Sequence, residues 1–163
     1  MVKRSYVVIL LLSFLAYIFY CYIYADERRI RANLHLVAQV ASKAEEDHKL
    51  AFVGKVRSLE NLLHEQTSVA AGKKLKAIVG RDKLKGLFVQ AWRSFGNWQI
   101  VFNDVTFLGT IDCTSAKTRQ TVSVTTKTKK GRELLTPREM IIQWQKKDDH
   151  WLIVSARSVE VFK

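Results

Sequence analysis

A run of 21 residues without a charge, from Ser5 to Ala25, constrains this chain more than any other feature. At a rise of about 1.5 Å per residue, a helix of that length measures roughly 30 Å, the thickness of a bilayer's hydrocarbon core. Charged residues bound the run, with Lys3 and Arg4 before it and Asp26 after it. We therefore expect residues 1–25 to form a short cytoplasmic start and a transmembrane anchor, and residues 26–163 to form one soluble domain.

A cleavable secretory signal is the alternative interpretation of this run. Its apolar region would span about 7 to 15 residues and end at small side chains. Here the run continues through several tyrosines, and cleavage after Ala25 would place the bulky Ile23 at the minus-three position. The length and the flanks favour an uncleaved anchor, and tyrosines 17, 20, 22 and 24 are typical of an aromatic belt at one interface.

Charge near the run gives little information on its orientation. Two basic residues precede it, and Arg28, Arg29 and Arg31 come after it. A short basic N-terminus is typical of a bacterial anchor that exports the rest of its chain, so we expect an inner-membrane protein with an extracytoplasmic domain. Cys21 lies in the run, which leaves Cys113 alone in the domain, so no disulfide can form within it.

The domain is strongly basic. The whole chain has 27 Lys and Arg against 15 Asp and Glu, and the domain carries about +10 once Lys3 and Arg4 are set aside. Solvated loops explain this charge most simply, and contact with an anionic surface is the alternative. No aromatic residues interleave with the clusters, so we expect no specific nucleic-acid partner. The clusters are Lys73, Lys74, Lys76, Arg81, Lys83 and Lys85, and a second group of Lys127, Lys129, Lys130 and Arg132 around a hairpin tip at Gly131.

Three stretches have the apolar spacing of amphipathic helices. The first comes after the anchor directly or after a short break at Asp26, the second covers about residues 48–65, and the third has Asp82 as a candidate N-cap and ends at Gly96. Their apolar stripes are Ile30, Leu34, Val37 and Ala41; Phe52, Val56, Leu59 and Leu63; and Leu84, Leu87, Phe88, Ala91, Trp92 and Phe95.

From Trp98 onwards the apolar period falls to two, which predicts strands up to about Phe162. The single proline, Pro137, requires an edge, first-residue or bulge position in its strand. Helices followed by an antiparallel meander predict an α+β fold, with helices packed on one face of a curved sheet.

This order of elements, with the segment from Met140 to Val154, resembles the nuclear transport factor 2-like superfamily. That segment contains a strand, a Lys-Lys-Asp-Asp-His turn and a Trp-Leu-Ile start to the last strand. The resemblance implies a cone of helices against a strongly bent sheet, over about residues 30–163. It also implies either an acid-base pair inside the cone or no chemistry at all, because members of both kinds exist.

Candidates for such chemistry are few. Asp104 and Asp112 are the only acidic candidates for a base, although both have the position of ordinary loop aspartates. Asp148, Asp149 and His150 are consecutive and cannot easily converge on one ion, so we expect no metal, and no motif indicates a cofactor. The aromatic set is interpreted first as core and alternatively as cavity lining: Trp92, Trp98, Phe102, Trp144 and Trp151, with Phe95.

The sequence leaves three functional hypotheses. The first is a membrane-anchored, non-catalytic interaction or assembly domain, since anchored members of the superfamily include inner-membrane components of type IV secretion machines. It implies membrane or envelope partners and a homodimer through the open sheet face. The second is a small-ligand-binding domain or a lyase or isomerase that uses the cone cavity. The third is a cytoplasm-facing basic domain that binds lipid or nucleic acid.

Overall fold

Three helices and one six-stranded sheet make up the part of the chain that the computed structural model describes, residues 2–45, 47–70, 72, 76–127 and 133–159. The elements occur in the order α1 (Val2–Ala41), α2 (Lys49–Leu62), β1 (Leu63–Ala70), β2 (Ile78–Val79), α3 (Arg81–Ser94), β3 (Trp98–Phe107), β4 (Ser115–Lys127), β5 (Glu133–Lys147) and β6 (His150–Val159). The predicted α+β class with helices on a curved sheet is confirmed.

The sheet has the strand order β2-β1-β6-β5-β4-β3. Strands β3 to β6 form the expected antiparallel meander. The prediction that all helices precede the sheet is wrong, because β1 and β2 lie between α2 and α3 and β1 pairs in parallel with β6. A parallel pair needs a long connection, and here α3 and four strands separate its two members in the chain.

The helix boundaries differ from the predicted ones in two places. Helix α2 ends at Leu62 and not near residue 65, because Leu63 already begins β1. Helix α3 begins at Arg81, so Gly80 is its N-cap. The φ of Gly80 is 106°, a conformation that favours glycine. Asp82 instead lies in the first turn, where a negative charge is favourable. Phe95 comes after the helix and is 64% exposed, so its predicted burial is wrong.

The core lies between the inner face of the sheet and the second half of α1. Ile30 and Leu34 of α1 are 0% and 2% exposed, as their spacing predicted. They pack with inward residues of the meander, and Trp144 and Trp151 are its largest members. The remaining core members are Leu63, Ala116, Ile142, Ile153 and Ala156.

The turn between β5 and β6 determines the register of the sheet at this end. Asp148 and Asp149 have φ values of 49° and 62°, as both central residues of a type I′ turn require.

Pro137 lies in β5 opposite Ser123 of β4, whereas the β5–β6 pairing begins only at Glu139. The proline therefore occupies a stretch of β5 whose described pairing is on one side only, which fits the predicted edge-like position.

Helix α1 is continuous through Asp26, and it is attached to the domain at that residue. The Asp26 side chain is 9% exposed and accepts hydrogen bonds from Lys146 Nζ at 3.0 Å and Trp151 Nε1 at 3.0 Å. Asp149 Oδ1 joins the same network through Arg29 at 3.0 Å and Lys146 at 3.2 Å. Among these groups, hydrogen bonds raise the pKa of Lys146 and lower that of Asp149. We call these five side chains the Asp26 network.

The predicted membrane span is not supported by the structure. Among the described residues, no helix is long and apolar enough to cross a membrane. Within the predicted run, the side chains of residues 5, 7, 8, 19 and 21–23 lie outside the described part of the chain.

Candidate functional site: a cavity between helix α1 and strand β3

A cavity of about 940 Å³ lies between α1 and the inner face of β3. Its apolar wall comes from Leu34, Ala38, Trp98, Ile100, Phe102 and Val105. Polar and charged side chains complete it: Arg31, His35, Gln39, Ser42, Lys43, Glu45, Lys55, Asn97, Gln99 and Thr125. The cone therefore contains an open cavity that the tryptophans do not fill.

The spacing of residues on the two elements explains this lining. On α1, residues 31, 35, 38, 39 and 42 fall on one helix face. On β3, Trp98, Ile100 and Phe102 alternate inward, and a bulge then shifts the register between Asn103 and Thr106. The bulge moves the inward positions from even to odd numbers, which brings Val105 and Phe107 to the inner side.

Asp104 lies at this bulge with a φ of 53° and an exposed side chain. Aspartate tolerates the left-handed conformation better than most residues, which gives Asp104 a structural reason to be there. It does not line the cavity. The structure thus places this candidate base away from the cavity.

Asp112 also lies away from the cavity, in the loop between β3 and β4. Its carboxylate accepts hydrogen bonds from the Ser115 hydroxyl at 2.6 Å, from the Thr114 backbone N–H at 2.8 Å and from the Ser115 backbone N–H. These bonds, the Ser115 hydroxyl first, lower its pKa to about 2. A carboxylate so stabilised is a turn residue and a poor base.

We expect the Asp112 carboxyl to titrate near pH 2 in the folded protein, and Ser115→Ala to bring that midpoint closer to the ordinary value of 3.8. A lowered pKa contributes stability above pH 3.8 that is lost as the pH falls towards 2. Carboxyl carbon shifts followed by NMR would measure both midpoints. A wild-type midpoint near 3.8 would contradict the hydrogen-bonded geometry.

Lys43 connects α1, α3 and β3 at one end of the cavity. Its Nζ donates to the carbonyls of Trp92 and Phe95 at 2.7 and 2.8 Å, at the C-terminal end of α3. The same nitrogen lies 5.3 Å from the Trp92 ring centroid and 5.7 Å from that of Trp98. Its backbone pairs with Trp98, by N–H to carbonyl distances of 2.8 and 3.1 Å. The cation thereby caps α3 and holds the start of β3 against α1.

Replacing Lys43 with alanine is expected to destabilise the domain by about 2 kcal/mol, because two charge-assisted hydrogen bonds to helix-terminal carbonyls are lost. Denaturant unfolding followed by tryptophan fluorescence measures the loss, and Trp92 and Trp98 are two of the four tryptophans that give the signal. Lys83→Ala is a matched control on the exposed surface of α3, and its effect should stay within about 0.5 kcal/mol. Equal effects of the two substitutions would refute the capping role.

The other cations of the cavity have carboxylate partners. Arg31 contacts Glu27 at 2.8 Å and donates to the Val105 carbonyl at 3.3 Å. Lys55 contacts Asp47 at 2.6 Å. Although burial raises the pKa of Asp47, the hydrogen bonds from Lys55 and from the Ala44 N–H outweigh it and hold that pKa below its ordinary value. These cations are therefore largely neutralised by the protein itself.

His35 and Glu45 are the remaining titratable groups of the cavity. Six residues separate His35 from the end of α1, about 9 Å of helix, and Glu45 lies beyond that. Glu45 Oε1 also accepts a hydrogen bond from Asn97 at 3.0 Å. The two groups therefore do not form an acid-base dyad.

The predicted aromatic set divides between core and cavity. Trp144 and Trp151 are 1% and 2% exposed and belong to the core. Trp92 is buried in a cluster with Phe52, Phe88 and Trp98, with ring centroids 4.9 to 5.7 Å from its own. Of the predicted aromatic set, only Trp98 and Phe102 line the cavity.

The predicted basic cluster is only partly within the described residues. Arg81 and Lys85 share Glu60, at 4.0 and 3.1 Å, so part of their charge is neutralised. Lys76 and Lys83 are exposed. Lys73 and Lys74 lie outside the described residues, as do Lys129, Lys130, Gly131 and Arg132 at the second cluster.

Arg31, His35, Lys43 and Lys55 are among the cavity residues that sequence reasoning missed. Arg31 and His35 lie four apart on the polar face of an amphipathic helix, and a polar face usually meets solvent. This face becomes a cavity wall only because β3, the strand at one edge of the sheet, lies opposite it.

Solved structures share this fold at low sequence identity. A protein of unknown function from Mycobacterium tuberculosis is 16% identical over 86% of this chain and 74% of that chain, with a TM-score of 0.69. A scytalone-dehydratase-like protein from Novosphingobium aromaticivorans is 14% identical over 85% of both chains, with a TM-score of 0.68. LinA is 8% identical over 85% of this chain and 87% of that one, with a TM-score of 0.66.

A further neighbour from Novosphingobium aromaticivorans is a nuclear transport factor 2-like protein with a cystatin-like fold, 15% identical over 85% of this chain and 83% of its own, with a TM-score of 0.67. No family model and no curated protein matches the sequence. At these identities the likeness concerns the fold alone, and the fold is nuclear transport factor 2-like.

Proposed function

We propose that this chain is a single-pass membrane protein whose nuclear transport factor 2-like domain acts as a non-catalytic interaction or assembly module. The observation that carries the proposal is the exposure of α1 before Asp26. All residues from Ile9 to Tyr17 are exposed, and the large apolar ones among them are 55% to 73% exposed. Nine consecutive residues cover every side of a helix, so the domain covers none of these sides. An apolar surface of that size requires an apolar environment.

The second half of the same helix supports the interaction role. Ile30 and Leu34 are in the core and Asp26 is held by Lys146 and Trp151, so the domain is attached rigidly to the part of α1 that precedes Asp26. This attachment fixes the position of the domain relative to the membrane or protein that surrounds that part of the helix. Membrane or envelope proteins are the partners we propose, and the outer sheet face is the surface proposed for a domain dimer.

The absence of an acid-base pair supports a non-catalytic role. In the described residues that line the cavity, Glu45 is the sole carboxylate and His35 the sole imidazole, and they do not meet. Asp104 and Asp112, the candidate bases, lie elsewhere.

A pair of reporters fused after Lys163 tests the membrane topology. We expect alkaline phosphatase to be active and a green fluorescent protein fusion to be dark, because the domain is proposed to be extracytoplasmic. The opposite pattern would move the domain to the cytoplasm and favour binding of lipid or nucleic acid by the basic clusters.

The cavity supports small-ligand binding as a second candidate function. Its volume of about 940 Å³ is that of a drug-sized ligand site, and Trp98 and Phe102 offer aromatic faces.

Ala38→Trp would fill this cavity from α1. We expect a small organic compound to co-purify with the wild-type chain and to be absent from the Ala38→Trp protein, as measured by mass spectrometry after denaturing extraction. Gln90→Trp, on the exposed surface of α3, is the control for the added indole. The same compound in both variants, or none in the wild type, would reject this function.

A further inference from the structure

Strand β3 is the last strand at one end of the sheet, with β4 on one side of it and α1 on the other. In an antiparallel pair, alternate residues direct their N–H and carbonyl groups away from the neighbouring strand. Trp98 is such a residue, because both of its groups bond to the backbone of Lys43, at 3.1 and 2.8 Å. Counted in twos from Trp98, the backbone groups of Ile100 and Phe102 also point away from β4. We call this side of β3 its lateral edge.

Helix α1 occupies the two ends of the lateral edge and leaves its middle open. The Ile100 N–H donates to Ser42 Oγ at 2.8 Å, and Arg31 donates to the Val105 carbonyl at 3.3 Å. Between these points, the Ile100 carbonyl and both backbone groups of Phe102 have no hydrogen-bond partner among the described residues. Ile100 and Phe102 both line the cavity. One backbone donor and two backbone acceptors are therefore open to an occupant of the cavity.

The cations of the cavity do not require an anion from outside the domain. Arg31 bonds to Glu27 at 2.8 Å and Lys55 to Asp47 at 2.6 Å. Lys43 donates to two carbonyls at the end of α3. With these charges already paired or hydrogen-bonded, an uncharged occupant complements the cavity better than an ionic one.

We infer that an extended segment of a partner protein binds in this cavity as an added strand, with its backbone hydrogen-bonded to Ile100 and Phe102. An extended chain carries donors and acceptors at the same spacing as the strand that it joins, so it complements all three open groups. In this mode of binding the main chain supplies affinity and the side chains supply specificity. The edge from Ile100 to Val105 is about 17 Å long at roughly 3.3 Å per residue, which is enough for about five residues of the partner.

The walls of the cavity indicate the chemistry of the segment. Side chains of an added strand alternate between its two faces. Those level with Ile100 and Phe102 meet the apolar wall, to which Leu34 and Ala38 of α1 contribute. The segment is therefore uncharged, with apolar residues at alternate positions. Because α1 meets the lateral edge at both ends, a single strand fits beside β3 and the sheet of a second copy does not.

This inference rests on the proposed function in treating the domain as an interaction module, and it adds the binding site and the class of partner. It does not depend on the membrane anchor. A chain that binds the peptides described below but is not held in membranes refutes the anchor alone. A chain that is held in membranes but binds none of them refutes the added strand alone.

Phage-displayed random nonapeptides, selected on the full chain in mild detergent, provide the probe. We expect the enriched peptides to carry apolar residues at alternate positions, and to bind at least about tenfold more weakly to Ala38→Trp, whose added indole fills the cavity. Gln90→Trp, on the exposed surface of α3, is the control and should bind within about twofold of the wild type. Selection of no peptide, or equal binding to Ala38→Trp and Gln90→Trp, would overturn the inference.

A second measurement uses the wild-type chain and distinguishes strand pairing from simple filling of the cavity. The backbone nitrogens of one selected synthetic peptide are methylated one at a time, which removes one donor in each case. We expect losses of affinity of about fivefold or more at alternate positions, as measured by isothermal titration calorimetry. Hydrogen exchange at the Phe102 amide should slow by about tenfold in the complex. Insensitivity to methylation, or unchanged exchange at Phe102, would overturn the added strand.

Discussion

Replacing Asp26 with alanine is expected to lower the free energy of unfolding of the full chain by about 3 kcal/mol or more. The substitution leaves the Lys146 ammonium, whose side chain is 13% exposed, without its closest carboxylate, and the Trp151 indole N–H without its acceptor. Removing one member of a buried ion pair costs more than the pair contributes, because the remaining charge stays desolvated. Denaturant unfolding of the protein in mild detergent measures the loss.

Two variants show whether charge or shape is responsible. Asp26→Asn keeps an acceptor for the Trp151 indole and should fall between the wild type and Asp26→Ala. Glu65→Ala, in the exposed part of β1, should change stability by no more than about 0.5 kcal/mol. A loss as small as this for Asp26→Ala would contradict the Asp26 network.

The same network predicts a dependence on alkaline pH. Hydrogen bonding to Asp26 raises the pKa of Lys146 above its ordinary value of 10.5. A raised pKa contributes stability in full below that value, and the contribution is lost as the pH rises through the higher, folded-state pKa. The difference in stability between the wild type and Asp26→Ala should therefore narrow above pH 10.5.

Truncating Trp144 to alanine is the second substitution with a large expected effect, a loss of about 3 to 5 kcal/mol. Its side chain is 1% exposed on the inner face of β5, and its Nε1 donates to the Thr118 hydroxyl at 2.9 Å. The truncation leaves a large cavity and also leaves the buried Thr118 hydroxyl without this donor. Thermal or denaturant unfolding of the full chain measures the effect.

Phe95→Ala is the matched control for the loss of an aromatic ring, because Phe95 is 64% exposed. It should change stability by no more than about 0.5 kcal/mol. If Trp144→Ala cost no more than Phe95→Ala, the core would not lie on the inner face of the meander.

The elements with regular periodicity could be predicted from the sequence. Ile30 and Leu34 recur at helical spacing and are buried, and the alternation after Trp98 becomes β3. In such elements the buried face is decided locally, by which side chains are apolar. The parallel pairing of β1 with β6 is decided by contacts between residues distant in sequence, such as Val69 with Ala156, and no local signal indicates it.

The cavity was the least predictable part. It requires α1 and β3 to face each other, and these elements are separated by about 60 residues of chain. The bulge at Asp104 also exchanges the inward and outward positions of β3. Simple alternation from Trp98 would place Val105 and Phe107 on the outer face, whereas the bulge places them on the inner face. Asp112, by contrast, is the loop aspartate that its sequence context favoured.

Extraction of cell membranes at alkaline pH tests the proposed anchor most directly. We expect the full chain to remain in the membrane pellet after carbonate washing, and the double variant Leu11→Arg and Leu15→Arg to be released, because charges within an apolar helix oppose insertion. Leu50→Arg, at an 88% exposed position of α2, is the control and should stay in the pellet. Release of the wild-type chain by carbonate would contradict the anchor.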